Sequence, residues 1–79
     1  MADQQISIRE MKNGQSGIVS QIHGGHGLVS RLDALGIRPG KKITKVGCSL
    51  MRGPITIKIG HAQVAIGFGM SGKITVDTD

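Results

Sequence analysis

Residues 28–43, LVSRLDALGIRPGKKI, change period once, and that change limits the folds open to the chain. Leu28, Leu32 and Leu35 stand at i, i+4 and i+7 with Val29 beside Leu32, which is one stripe of an α-helix. Gly36 takes the position where a helix turns left-handed, and Arg31 lies in the later turns, where the helix dipole favours a cation. Pro39-Gly40 fits the two central positions of a type II turn, which holds the flanking Arg38 and Lys41 at the surface. A helix of about two or three turns is marginal alone, so its stripe must dock on something.

The rest of the chain reads as strands. Ile6 and Ile8 alternate ahead of a turn at Asn13-Gly14, and a β-rich run follows from Gly17 to Ile22. In that run alternation puts Ile18, Ser20 and Ile22 on one face and Val19 and Gln21 on the other. HGGHG, residues 23–27, is a loop. Lys42 to Cys48 is β-rich without clean alternation, since Ile43 and Val46 fall on opposite faces, and Gly47 marks a candidate bulge. Ile55, Ile57 and Ile59 alternate inward against Thr56 and Lys58, Gly60-His61 is a tight hairpin, and QVAI is its partner strand. GFGMSG is a helical turn or loop, and Ile74 and Val76 alternate in a last strand. The pattern describes a mainly β domain: a small barrel of five to six strands with one short α-helix inserted after the second strand. The domain is expected over residues 6–77, with 1–5 and 78–79 as frayed ends.

Composition narrows the function. With 79 residues there is room for one core and no large catalytic cleft. Phe68 is the only aromatic ring, which removes the stacking platforms used on single-stranded nucleic acid. Asp3, Glu10, Asp77 and Asp79 sit near the ends, while residues 11–76 hold nine of the ten Lys and Arg against Asp33 alone. Such a basic body suits acidic partners. The single Cys48 rules out an internal disulfide, suits a reducing cytoplasm and reads as a small buried apolar residue. No run of apolar residues exceeds three, so no signal sequence or membrane insertion is expected.

The inventory for chemistry is sparse. His23 and His26 are secondary metal candidates, and His61 and Cys48 complete the soft ligands; a structural metal site wants four that converge. The body holds no carboxylate pair and no phosphate-binding G-x-x-x-x-G-K-S/T loop. Gly67, Gly69 and Gly72 match G-x-G-x-x-G but precede a strand, whereas pyrophosphate binding needs a helix there. No enzyme activity and no cofactor are expected. GQSGIVSQIHGGHG resembles the hairpin of KOW-type barrels, which makes nucleic-acid binding the alternative function. A metal-binding module using His23 and His26 is the second alternative.

A more specific resemblance lies in LDALGIRPGKKITKV, GPITIKIGHAQVAI and the final KITV. Leu32, Leu35, Gly36, Ile37, Pro39 and Gly40, then Gly53, Pro54, Ile55, Ile57, Ile59 and Gly60, then Val64, Ile66, Ile74 and Val76 follow the pattern of the FeoA family. That domain is also found at the C-terminus of some iron- and manganese-dependent repressors. The resemblance implies an SH3-like barrel and a non-enzymatic, cytoplasmic accessory role in bacterial ferrous iron uptake. The implied partner is FeoB, a membrane transporter with a cytosolic guanine-nucleotide-binding domain, with no stable nucleic-acid partner. The chain opens at Met1 and lacks a helix-turn-helix pattern, so a free-standing module is expected, with weak self-association allowed by its thin core. Arg31, Arg38, Lys41 and Lys42 are the candidate partner-binding residues, a basic patch beside the helix.

Overall fold

In the computed structural model, which describes residues 4–48 and 53–78, six antiparallel strands make one sheet. They are β1 (Gln4–Ser7), β2 (Ser16–Ile22), β3 (Lys42–Cys48), β4 (Ile55–Ile59), β5 (Ala62–Ile66) and β6 (Ile74–Thr78), in the order β1-β6-β2-β3-β4-β5. The main helix, α1 (His26–Ala34), follows β2; a 3₁₀ turn at Ile8–Glu10 follows β1, and a single helical turn, α2 (Phe68–Ser71), precedes β6. The sheet curls on itself. Val19, Ile74 and Val76 from its first half and Ile55, Ile57 and Ile66 from its second share one core, each 2% exposed or less.

The junction after α1 folds as its residues require. Gly36, at φ +92°, donates its N–H to the Asp33 carbonyl at 2.9 Å, and Ile37 donates to the Leu32 carbonyl at 2.8 Å. This closing pair of bonds satisfies two carbonyls that the helix end leaves open. Gly40, at φ +96°, sits in the next corner, where the Lys41 N–H reaches the Arg38 carbonyl at 3.1 Å. The corner is tied to β2: Gly40 N–H donates to the Val19 carbonyl and Val19 N–H to the Lys41 carbonyl, both at 2.8 Å. β3 therefore starts in register beside β2.

Three expectations are corrected. The stripe on α1 does not dock as a whole: Leu32 is fully buried and Leu28 partly, while Val29 is exposed and Leu35 is 43% exposed. Leu35 is the helix cap, and the left-handed turn after it sends Ile37 into the core instead. In β2, Val19 faces the core opposite Val76, and Ile18 points outward opposite Asp77. The register against β6 slips between Val19 and Gln21, so Ser20 is an extra residue that brings Ile22, three positions on, back toward the core opposite Ile74. Ile8 belongs to the 3₁₀ turn rather than to a strand, yet it is fully buried.

A second slip, between Lys45 and Gly47, makes Val46 the bulged residue of β3, next to the glycine that suggested it. It leaves Val46 outside and turns Lys45 inward, opposite Ile57. Gln4 and Gln5 pair with Thr78 and Asp77, so strand pairing reaches residues assigned to frayed ends. The side chain of Cys48 lies outside what is described, as do residues 1–3, 49–52 and 79.

Candidate functional site

The cations divide by what they touch. Lys45 is 5% exposed and donates its Nζ to the Met11 carbonyl at 2.7 Å, which makes it part of the core. Arg9 lies 3.9 Å over the Phe68 ring and donates to the Phe68 carbonyl at 2.7 Å, holding α2 against the 3₁₀ turn. A Cβ on Gly72 would come within 2.8 Å of that guanidinium, so the last glycine of the G-x-G-x-x-G match has a packing reason. Arg38 pairs with Asp33 at 3.2 Å, the one ion pair among the described residues.

Of the four candidate partner-binding residues, all are exposed. Arg31 stands on α1, Arg38 and Lys41 flank the corner, and Lys42 opens β3. Lys42 alone of the four belongs to the outer face of the sheet, and there the register gives it neighbours distant in sequence. Ile18 lies directly opposite it on β2, and Asp77 lies opposite Ile18 on β6. Asp77, Ile18 and Lys42 thus form one row across three strands and line, with Ser16 and Gly17, a hollow of about 320 Å³. Ile18 is 40% exposed.

A second hollow, of about 340 Å³, opens on the other side of Lys42 and is lined by Lys42, Thr44, Lys58 and Gly60. Thr44 stands opposite Lys58, and its hydroxyl shares a 2.7 Å hydrogen bond with the Ser16 hydroxyl. Gly60, at φ +60° in the β4–β5 hairpin, leaves its space open: nothing lies within 4 Å of a Cβ built there. Two ammonium groups share this hollow with no acidic side chain lining it, which makes it a site of positive potential suited to a carboxylate or another anion.

The histidines do not converge. His23 shares a 3.1 Å hydrogen bond with the Thr75 hydroxyl, His26 begins α1, and His61 lies in the hairpin. Among the described residues no three of His, Cys, Asp and Glu come together in a way that could hold a metal ion. Sequence reasoning missed three members of the outer face. Lys58 was visible as outward-facing, but its partnership with Lys42 depends on the β3–β4 register; Ile18 was given the wrong neighbours by the β2 bulge; Asp77 was counted with the terminal acids.

Among the described residues no helix is long and apolar enough to cross a membrane. A family model described as the FeoA domain matches residues 6–78. A curated protein of Methanocaldococcus jannaschii named "Putative Fe(2+) transport protein A" is 35% identical over 66 residues, 84% of this chain and 78% of that one. The crystal structure of an iron uptake regulatory protein, FeoA, superposes with a TM-score of 0.89 at 36% identity, covering 96% of this chain and 100% of the other. A manganese-dependent transcriptional repressor contains the same fold: TM-score 0.87 at 18% identity over 100% of this chain and 44% of the repressor.

Proposed function

The chain belongs to the FeoA domain family, and from that premise we propose that it is a non-enzymatic accessory protein of ferrous iron uptake that docks on the cytosolic portion of a FeoB-type membrane transporter. The relative named for Fe(2+) transport supports the process, and the match over residues 6–78 supports a role carried by this domain alone. The observation that carries the docking is the hollow between Lys42 and Lys58, where two cations have no acidic neighbour. A partner carboxylate entering it gains from both ammonium groups, and the basic body around it steers an acidic surface toward contact. Modulation of the transporter follows as an effect of occupancy, with no bond made or broken by this chain.

The test is binding to the transporter's purified soluble cytosolic domain, with and without guanine nucleotide. Lys42→Glu combined with Lys58→Glu is expected to slow association at least tenfold at about 50 mM salt, with the difference from wild type shrinking at about 500 mM as screening shortens the reach of the charges. An unchanged rate at low salt would discard the docking site. Filter binding to mixed duplex DNA and RNA at the same low salt separates this function from phosphate-backbone binding, whose affinity would fall steeply with salt for any sequence.

A further inference from the structure

The row Asp77, Ile18, Lys42 has features that a purely basic docking patch does not need. Asp77 Oδ1 is closed off from solvent and is the one buried side-chain oxygen or nitrogen without a hydrogen-bond partner among the described residues. An orphaned carboxylate oxygen of this kind is destabilising in the free chain, and a native fold retains one where something else satisfies it. Lys42 is the nearest cation in the row but is not within ion-pair range of Asp77. Ile18 stands between them, and two strand spacings separate the charged positions by about 10 Å. The sheet therefore keeps the acid and the base from neutralising each other.

Ile18 is itself out of place for a solvated face. Its outward neighbours along β2 are Ser16 and Ser20, and an apolar side chain 40% exposed between two polar ones gains nothing from water. Beside it Gly17 is buried, and a Cβ there would meet the Asp77 carbonyl and the Thr78 methyl at 3.0 Å. Glycine at this position lets β2 lie close against β6, which holds Asp77 and Ile18 side by side in a fixed geometry.

We propose that Asp77, Ile18 and Lys42 form a recognition strip for a partner segment that presents a basic and an acidic group about 10 Å apart on either side of an apolar side chain. The partner's ammonium or guanidinium reaches the orphaned oxygen of Asp77, its apolar group covers Ile18, and its carboxylate meets Lys42. Lys58 extends the cationic end into the neighbouring hollow. This rests on the docking reading above and adds the partner's chemistry to it: the segment is zwitterionic, not simply acidic.

The sign of one substitution separates the two. Asp77→Lys raises the positive charge of the face, so a surface that only seeks acid binds the transporter's soluble domain more tightly when it is made. The strip requires the opposite, an affinity loss of about tenfold or more, the scale of one charge-assisted hydrogen bond. Asp77→Asn gives a second readout that needs no partner: the free chain's melting temperature rises by about 4 °C as the unpaired charge is removed, while affinity for the soluble domain falls about tenfold. Tighter binding by Asp77→Lys, or a lower melting temperature for Asp77→Asn, overturns the strip. If the Lys42 and Lys58 reversals weaken binding in that same experiment, the docking reading stands without it. If wild type does not bind, or none of these variants changes affinity, the docking reading fails and the strip fails with it.

Discussion

Leu32→Ala is expected to cost about 3–4 kcal/mol and to leave much of the protein unfolded at room temperature. Leu32 is the only residue of α1 with no exposed surface, so the anchorage of the helix is concentrated in one side chain. Its carbonyl also accepts the Ile37 N–H, and Ile37 is equally buried, so the cavity left by alanine lies where the chain re-enters the core. A single core in a chain this small supplies only about 3–5 kcal/mol of net stability. Leu35→Ala is the contrast: at 43% exposure it should change stability by no more than about 0.5 kcal/mol. Urea unfolding followed by circular dichroism reads both, and similar midpoints for the two variants would contradict the unequal docking of the stripe.

Lys45→Glu should be at least as damaging. The Lys45 ammonium sits at 5% exposure and bonds backbone oxygens only, Met11 at 2.7 Å and Arg9 at 3.3 Å. Through them one side chain of β3 closes the end of the 3₁₀ turn, whose last carbonyls have no partner of their own. The same residue's backbone pins the following turn, since its carbonyl accepts from Gly14 N–H at 2.6 Å and its N–H donates to the Gln15 carbonyl at 2.9 Å. A carboxylate in place of the ammonium faces two carbonyl oxygens with no donor, and the variant is expected not to fold. Lys45→Met keeps the aliphatic stem and loses only the donor, so it should fold with a loss of about 1–3 kcal/mol, the cost of the abandoned carbonyls. Denaturation midpoints in the order wild type, methionine, glutamate are the expected result; a methionine variant equal to wild type would show that these oxygens do not depend on the lysine.

These two residues also mark what could be read without coordinates. The helix after the second strand, its glycine stop, the Pro39-Gly40 corner, the Gly60-His61 hairpin and the inward Ile55 and Ile57 follow from local chemistry, because each is determined within a few residues. Lys45 was not legible as a core residue, since a lysine in a strand reads as solvated unless its distant acceptors are known. The phase of β2 was misread for a related reason: the extra residue at Ser20 is defined by its register against β6, more than fifty positions away. Of the candidate site only Lys42 could be named. Sequence contiguity grouped it with Arg38 and Lys41, whereas the strand order groups it with Ile18, Asp77 and Lys58.

The pairing of β1 with β6 has a topological consequence. Gln4 and Thr78 face each other across that ladder, so the two ends of the fold emerge side by side, about 5 Å apart at their Cα atoms. A linker of about three residues could join Thr78 to Gln4 and new ends could be opened between Gly60 and His61, giving a circular permutant that keeps the whole ladder and core. Adjacent ends also suit a unit that can be spliced into an unrelated host chain as a self-contained cassette.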